Sequence, residues 1–134
     1  MINLIKNSKI NVYFLLVFLI LFIISTFRNG LGTDYYAYAD LYQSPDGKST
    51  DFLFNLFFIE IPRLFSKNEI TFFLITSFVV NFFFLKKIFN TSVFIVISVF
   101  LYLTQFYFIS FNAVRQFIAI SLFFYYANLI IKKK

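Results

Sequence analysis

Neither cysteine nor histidine occurs in the 134 residues, and the two absences remove much of protein chemistry. Without thiols there is no disulfide, no thiolate nucleophile and no sulfur-ligated metal. Without imidazole, the commonest general base near neutral pH and the commonest metal ligand are gone. Any chemistry rests on Asp, Glu, Arg, Lys, Tyr or Asn. Charge is scarce too: Asp, Glu, Lys and Arg make up 13% of the chain, against about 25% in a soluble domain. With 60% hydrophobic residues, most of the surface must face something other than water. The composition is that of an integral membrane protein. Asp34, Asp40, Asp46 and Asp51 do not match calcium-loop spacing, so no metal site is expected.

The charge that is present is mostly positive, +6 in all. In a soluble protein that balance would suggest nucleic acid. Here Lys6, Lys9, Lys86, Lys87, Lys132, Lys133 and Lys134 sit at the ends of apolar runs, where lysine marks the cytoplasmic side. The basic balance is therefore topological, and no nucleic-acid partner is expected.

The apolar runs predict spans at about 10–27, 70–85, 90–110 and 115–131, with an outer loop at 28–51. Each run approaches the roughly 20 residues needed to cross hydrocarbon. They are read as helices because only helices and closed barrels satisfy the backbone in lipid, and the contiguous Phe/Ile/Leu runs lack the alternation of a barrel strand. No small-x-small cleavage site follows the first run, which is expected to stay uncleaved with its N-terminus inside. The segment 52–65 is apolar but short, and it carries Glu60, Pro62 and Arg63. If it crossed, Lys86-Lys87 and the final lysines would fall outside, against the positive-inside bias. The expected architecture is thus all-α, an integral membrane helical bundle of about four transmembrane helices plus one short interfacial or re-entrant helix. No internal repeat or linker divides the chain.

Within the loop, Gly30 and Gly32 break the first helix, Thr33 or Asp34 can cap a second running through Tyr42, and Ser44-Pro45-Asp46-Gly47 has the residue types of a turn. The expected topology places Arg28, Asp34 and Arg115 on one face of the membrane. Asn112, Arg115 and Gln116 are spaced by three and four, hence on one helical face. Arginine near a membrane is costly and usually faces a cavity or a partner, and its planar fork grips phosphate or carboxylate in a bidentate way. Arg28 and Arg115 are candidates to grip a pyrophosphate at the outer face; each also reads as a simple flanking anchor. Asp34 reads either as a helix N-terminal charge or as an ion-pair partner of Arg115. Tyr35, Tyr36, Tyr38 and Tyr42 suit a sugar-stacking platform or an interfacial aromatic belt. The Gly30-x-Gly32 pair can cradle phosphate oxygens, although so short a glycine motif is weak evidence. Asn81, Thr104, Gln105 and Asn128 are expected to hydrogen-bond between helices.

Arg28-x-Gly30-x-Gly32-Thr33-Asp34-Tyr35 after the first span, followed by Phe111-Asn112-x-x-Arg115-Gln116-x-Ile118-Ala119, resembles the EpsG family over roughly residues 14–131. These are bacterial exopolysaccharide and capsule membrane proteins similar to Wzy-type polysaccharide polymerases. The resemblance implies a glycosyltransferase at the outer face of the cytoplasmic membrane. There a glycan moves from its undecaprenyl pyrophosphate carrier to the next lipid-linked oligosaccharide unit, with no cofactor. It implies catalytic roles for Asp34, Arg28 and Arg115. The arginines would hold the pyrophosphate, and Asp34 would orient the acceptor hydroxyl or accept its proton. Tyr35, Tyr38, Asn112 and Gln116 would bind substrate. Partners on this reading are the undecaprenyl-pyrophosphate-linked oligosaccharide, membrane lipids and other polysaccharide assembly proteins.

Members of that family are typically several hundred residues long with more spans, so the chain is expected to be a truncated part of a larger polymerase or a small protein keeping its amino-terminal module. Activity in isolation is not expected. A reading from a different class is a non-enzymatic small membrane protein that scaffolds an envelope or polysaccharide-export complex. A substrate-binding transport subunit is weaker, because no span carries a central charge.

Overall fold

A computed structural model describes residues 2–44, 46, 49 and 51–131, with side chains described between Asn11 and Ala127. The described residues are helical, with no strand among them. Helix α1 is Ile2–Thr26 and α2 is Tyr35–Gln43. Helix α3 covers 52–63 and passes through a π-helical stretch at Asn55–Glu60. Helix α4 is Glu69–Thr91. Helix α5 covers 95–107, its second half π-helical at Tyr102–Tyr107, and a 3-10 turn, Ile109–Phe111, follows. Helix α6 is Val114–Ile131.

Helix α4 is the hub. Phe14 of α1 meets Phe89 and Phe82, while Phe22 meets Phe78, so α1 and α4 run antiparallel. Tyr102 of α5 packs on Phe84. Tyr125 of α6 receives the Lys87 ammonium at its carbonyl, 3.3 Å away, and Val114 shares a cavity with Thr76 and Ser77, so α4 and α6 run parallel. The order down the bundle is therefore up, down, up, down. One end gathers the C-terminus of α1, the start of α4, the end of α5 and the start of α6. The other end carries Lys86 and Lys87.

The core is mostly aromatic. Phe14, Phe18 and Phe22 stack along α1 and meet Phe78 and Phe82 edge-on, the geometry that ring quadrupoles favour. Through this apolar core runs one polar network. The Asn81 amide donates to Ser25 Oγ and to the Ser77 carbonyl, each at 2.9 Å, and Tyr102 Oη donates to Asn81 Oδ1 at 2.9 Å. Ser25 Oγ and Tyr107 Oη both donate to the Leu21 carbonyl, at 2.8 and 2.7 Å. Asn81 thus ties α1, α4 and α5 together, and a buried amide left unpaired would be costly. Thr104 bonds the Phe100 carbonyl of its own helix instead. Gln105 is exposed, and the Asn128 side chain lies outside the described residues.

Two elements differ from the sequence reading. The run ending at Leu85 continues as helix through Lys86 and Lys87 to Thr91. Lys87 is buried, its stem covered and its amine on a carbonyl, so charge does not end the helix there. Asp34 stands at the N-cap of α2 but makes no side-chain capping bond; Thr33 Oγ1 donates to its carboxylate at 3.3 Å instead. The turn expected at 44–47 lies partly outside the described residues.

Candidate functional site

The site is built where two loops close on each other. After α1, Gly30 and Gly32 take positive φ values, +74° and +100°, which side-chain-bearing residues rarely adopt. Gly32 has a second reason to be glycine. A Cβ there would stand 2.9 Å from Asn112 Oδ1 and 3.1 Å from the Phe111 carbonyl oxygen. The backbone presses directly on the α5–α6 turn, and the Thr33 N–H donates to Asn112 Oδ1 at 2.8 Å. The glycine pair thus serves close packing of the two loops. The Arg28–Asp34 and Phe111–Gln116 segments, nearly 80 positions apart in the chain, are one structural unit.

Arg28 lies inside that unit, 4% exposed. Its guanidinium carbon sits 4.6 Å from the Phe73 ring centroid and 4.9 Å from that of Phe111, a cation held between two aromatic faces. Among the described residues it has no carboxylate partner, and its Nε is buried without an acceptor. Burial lowers its pKa to about 10, while the Tyr35, Tyr38 and Tyr107 hydroxyls nearby act in the opposite direction. The group therefore stays charged at neutral pH. The adjoining cavity, lined by Ser25, Thr76, Ser77, Asn81 and Ser110 among others, has a volume of about 10 Å³, room for roughly one water. In this arrangement Arg28 is a fixed positive charge behind the surface.

Arg115 is its opposite. It stands in the first turn of α6, its side chain 42% exposed, and Nη1 donates to Asp51 Oδ2 and to Ser49 Oγ, each at 2.9 Å. Its partner is therefore Asp51, in place of the Asp34 pairing that the sequence allowed. Its guanidinium carbon lies 5.9 Å from the centroid of the Phe54 ring, on which Tyr38 also packs. Asp34 is half-buried next to Thr33, while Asn112 and Gln116 are exposed. Tyr35 stacks on Phe73 at 4.6 Å and Tyr38 on Phe72 at 5.5 Å. Both rings are buried; Tyr36 is the exposed ring among them. Burial, with Glu69 nearby, raises the Tyr35 pKa, so that phenol remains a donor. Among the described residues no cluster suits a metal ion.

The roles of two residues escaped the sequence reading. Arg63 donates Nε to the Tyr42 carbonyl at 2.7 Å and Nη2 to the carbonyls of Leu41 and Ser44. These are orphan acceptors at the end of α2, so Arg63 clamps α2 to α3. Asn55 brackets Ser49, accepting from its N–H at 2.6 Å and donating to its carbonyl, and so presents Asp51 to Arg115. An arginine in a short apolar segment, like a carboxylate just before one, signals a need for partners; sequence alone does not say which.

The fold and site define a class: a predominantly apolar helical protein with a preassembled cationic site at one end of its bundle. The EpsG family model matches residues 11–134. The chain belongs to the EpsG family, which associates it with polysaccharide biosynthesis and a polymerase-like role. No curated protein and no solved structure shows a significant match.

Proposed function

We propose that the chain is a polysaccharide-polymerase module of the cytoplasmic membrane that handles lipid-linked oligosaccharide at the outer face. The observation that carries this is the closure of the Arg28–Asp34 loop on the Phe111–Gln116 turn, which sets Arg28 on the Phe111 ring of the segment that carries Arg115. Arg115 is the exposed member and meets the carrier pyrophosphate, exchanging Asp51 for phosphate oxygens in bidentate contact. Arg28 acts from behind as a preorganised charge that stabilises the departing phosphate without reorganising. Asp34, on the same loop, orients the acceptor hydroxyl or takes its proton, with Tyr35, Tyr38, Asn112 and Gln116 along the glycan path.

The membrane reading rests on length and surface. Among the described residues Glu69–Thr91 is long and apolar enough to cross a bilayer, whereas the apolar stretches Asn11–Thr26, Ile95–Tyr107 and Val114–Ala127 are shorter. Together they show lipid a surface rich in exposed Leu, Ile, Val and Phe. Helix α3 is about 18 Å long at 1.5 Å per residue. Both its ends bind the arginine end of the bundle, through Asn55–Ser49 and Arg63–Tyr42, and it lies in the interface.

Arg115→Lys in the intact system tests the role. It keeps the charge and removes the fork, and we expect shorter or scarcer polymer with normal membrane insertion. Unchanged polymer length and yield would reject the pyrophosphate role. A non-enzymatic scaffold makes the reverse prediction: neutral replacements of Arg28, Asp34 and Arg115 would leave function intact, and changes on helix-packing faces would abolish it.

A further inference from the structure

All six acidic residues of the chain lie between Asp34 and Glu69. The described ones among them that make side-chain contacts, Asp34, Asp51 and Glu69, do so at the arginine end, with Thr33, Arg115 and Gln43. The cations Lys86 and Lys87, at the other end of α4, have no acidic residue in their part of the sequence. Helix α5 is also unusual there. No residue of Ile95–Leu101 is buried, and its first turns stand away from the bundle with an apolar groove on either side. One groove, about 410 Å³, is lined by Tyr13, Val17, Phe89, Ile95, Val96 and Val99. The other, about 400 Å³, runs along Phe84, Ile88, Leu101, Ile120 and Phe124, with the hydroxyls of Thr91, Ser92 and Ser98 at its edge.

Each groove has its own lysine. Lys86 Nζ lies 5.3 Å from the Phe14 ring centroid, and Phe14 packs on Phe89 of the first groove. Lys87 Nζ lies 5.9 Å from the centroid of Phe124 in the second. Hydrocarbon-lined grooves that begin beside ammonium groups with no carboxylate among the described residues match a molecule with apolar chains and an anionic head. We propose that the lysine end binds anionic diacyl phospholipid, its acyl chains in the grooves flanking the first turns of α5 and its phosphate on Lys86, with Lys87 contributing from the second groove. Basic sites between helices on the cytoplasmic side commonly take such headgroups. This inference rests on the membrane reading above, but not on any catalytic role. It gives the lysines a ligand beyond their part in setting orientation.

The test reconstitutes the chain into nanodiscs of phosphatidylcholine with or without phosphatidylglycerol, then follows lipids retained through native mass spectrometry. The expected result is preferential retention of phosphatidylglycerol, falling about fivefold in Lys86→Gln, since a surface lysine is worth about 1 kcal/mol toward anionic lipid. Lys86→Arg should keep it. Val96→Trp, which fills the first groove from an exposed position, should lower retention of both lipids while helical content stays unchanged. Equal retention of the two lipids by the wild-type chain, or unchanged preference in Lys86→Gln, would overturn the proposal. A chain that fails to enter the discs would overturn both it and the membrane reading, so the two failures are distinct. Preference for a polyprenyl phosphate over phosphatidylglycerol at this end would also contradict it, by assigning the grooves to the carrier.

Discussion

The two ends of the bundle solve the problem of charge beside apolar surface in opposite ways. At the arginine end, cations are met from within the chain. Arg63 takes the last carbonyls of α2, Arg115 takes Asp51 and Ser49, and Arg28 is enclosed by Phe73 and Phe111. At the lysine end Lys87 finds a carbonyl and Lys86 an aromatic face, and neither has a carboxylate among the described residues. An end held by its own hydrogen bonds has a defined shape and can position a substrate. An end that leaves its cations to outside anions suits a lipid surface. On the proposed function, that contrast gives chemistry to one end and anchorage to the other.

The largest expected effect breaks the arginine end at its closest contact. Gly32→Ala combines a strained φ with a Cβ pressed on Asn112 Oδ1 and on the Phe111 carbonyl and Cβ, and should cost about 2 kcal/mol or more. Gly30→Ala, whose Cβ meets only the tip of the exposed Tyr36 side chain at 3.2 Å, should cost less. Thermal unfolding of the two variants in detergent checks the order; equal losses would mean that the loop does not press on the α5–α6 turn.

Next in size is Arg63→Met, which keeps the stem and removes every donor to the α2 carbonyls. A loss of about 1.5–3 kcal/mol is expected, as for hydrogen bonds from a charged group. Protection of α2 against hydrogen exchange should fall while that of α4 is kept. Asn81→Leu probes the interior between the two ends. It strips partners from Ser25 and Tyr102 at roughly 1–3 kcal/mol, and Tyr102→Phe added to it should cost less than Tyr102→Phe alone, because the pair shares one bond.

The smallest effect sharpens the comparison most. Asp51→Asn removes an ion pair whose members are 42% and 60% exposed, worth under about 1 kcal/mol. It should barely move stability while freeing Arg115 for phosphate. If unfolding shifted as much as in Arg63→Met, Arg115 would be a structural clamp and no ligand residue. Arg28 should not act as a switch near neutral pH. Arg28 keeps its charge until about pH 10. Above that, the folded state releases a proton which the unfolded chain still holds, so this group adds stability as pH rises; between about pH 6 and 9 it should contribute no slope.

Much of this was legible in the sequence. The all-helical class follows from uncharged apolar runs, and the family from two short polar segments whose spacing and order survive between those runs. The chain's own chemistry also pointed to Arg28 and Arg115 as the arginines beside apolar runs. What could not be read is how each is held. Two arginines in similar surroundings along the chain have contrasting environments, one between phenylalanines from α4 and the α5–α6 turn, the other on a carboxylate 64 positions away. Those partners depend on how far each helix continues and how it turns. Lys86-Lys87 looked like a terminus, yet the helix passes through them, as lysine's helix propensity allows, with one ammonium on a distant carbonyl. Tyrosine posed the same difficulty: Tyr35, Tyr38 and Tyr42 are covered and Tyr36 is not, a distinction set by which face of α2 meets α4.

The central claim is that the Arg28–Asp34 loop and the Phe111–Gln116 turn form one site, and the cysteine-free chain offers a direct test. Thr33→Cys with Asn112→Cys places thiols on the two residues that the native chain joins by a 2.8 Å bond from the Thr33 backbone N–H to the Asn112 side chain. In membranes treated with a mild oxidant or a short bis-thiol linker, this pair should cross-link efficiently, whereas Thr33→Cys with Thr91→Cys should not. Absence of cross-linking in the first pair, with both thiols labelled and the protein inserted, would show that the two segments do not meet and that the site does not exist as described.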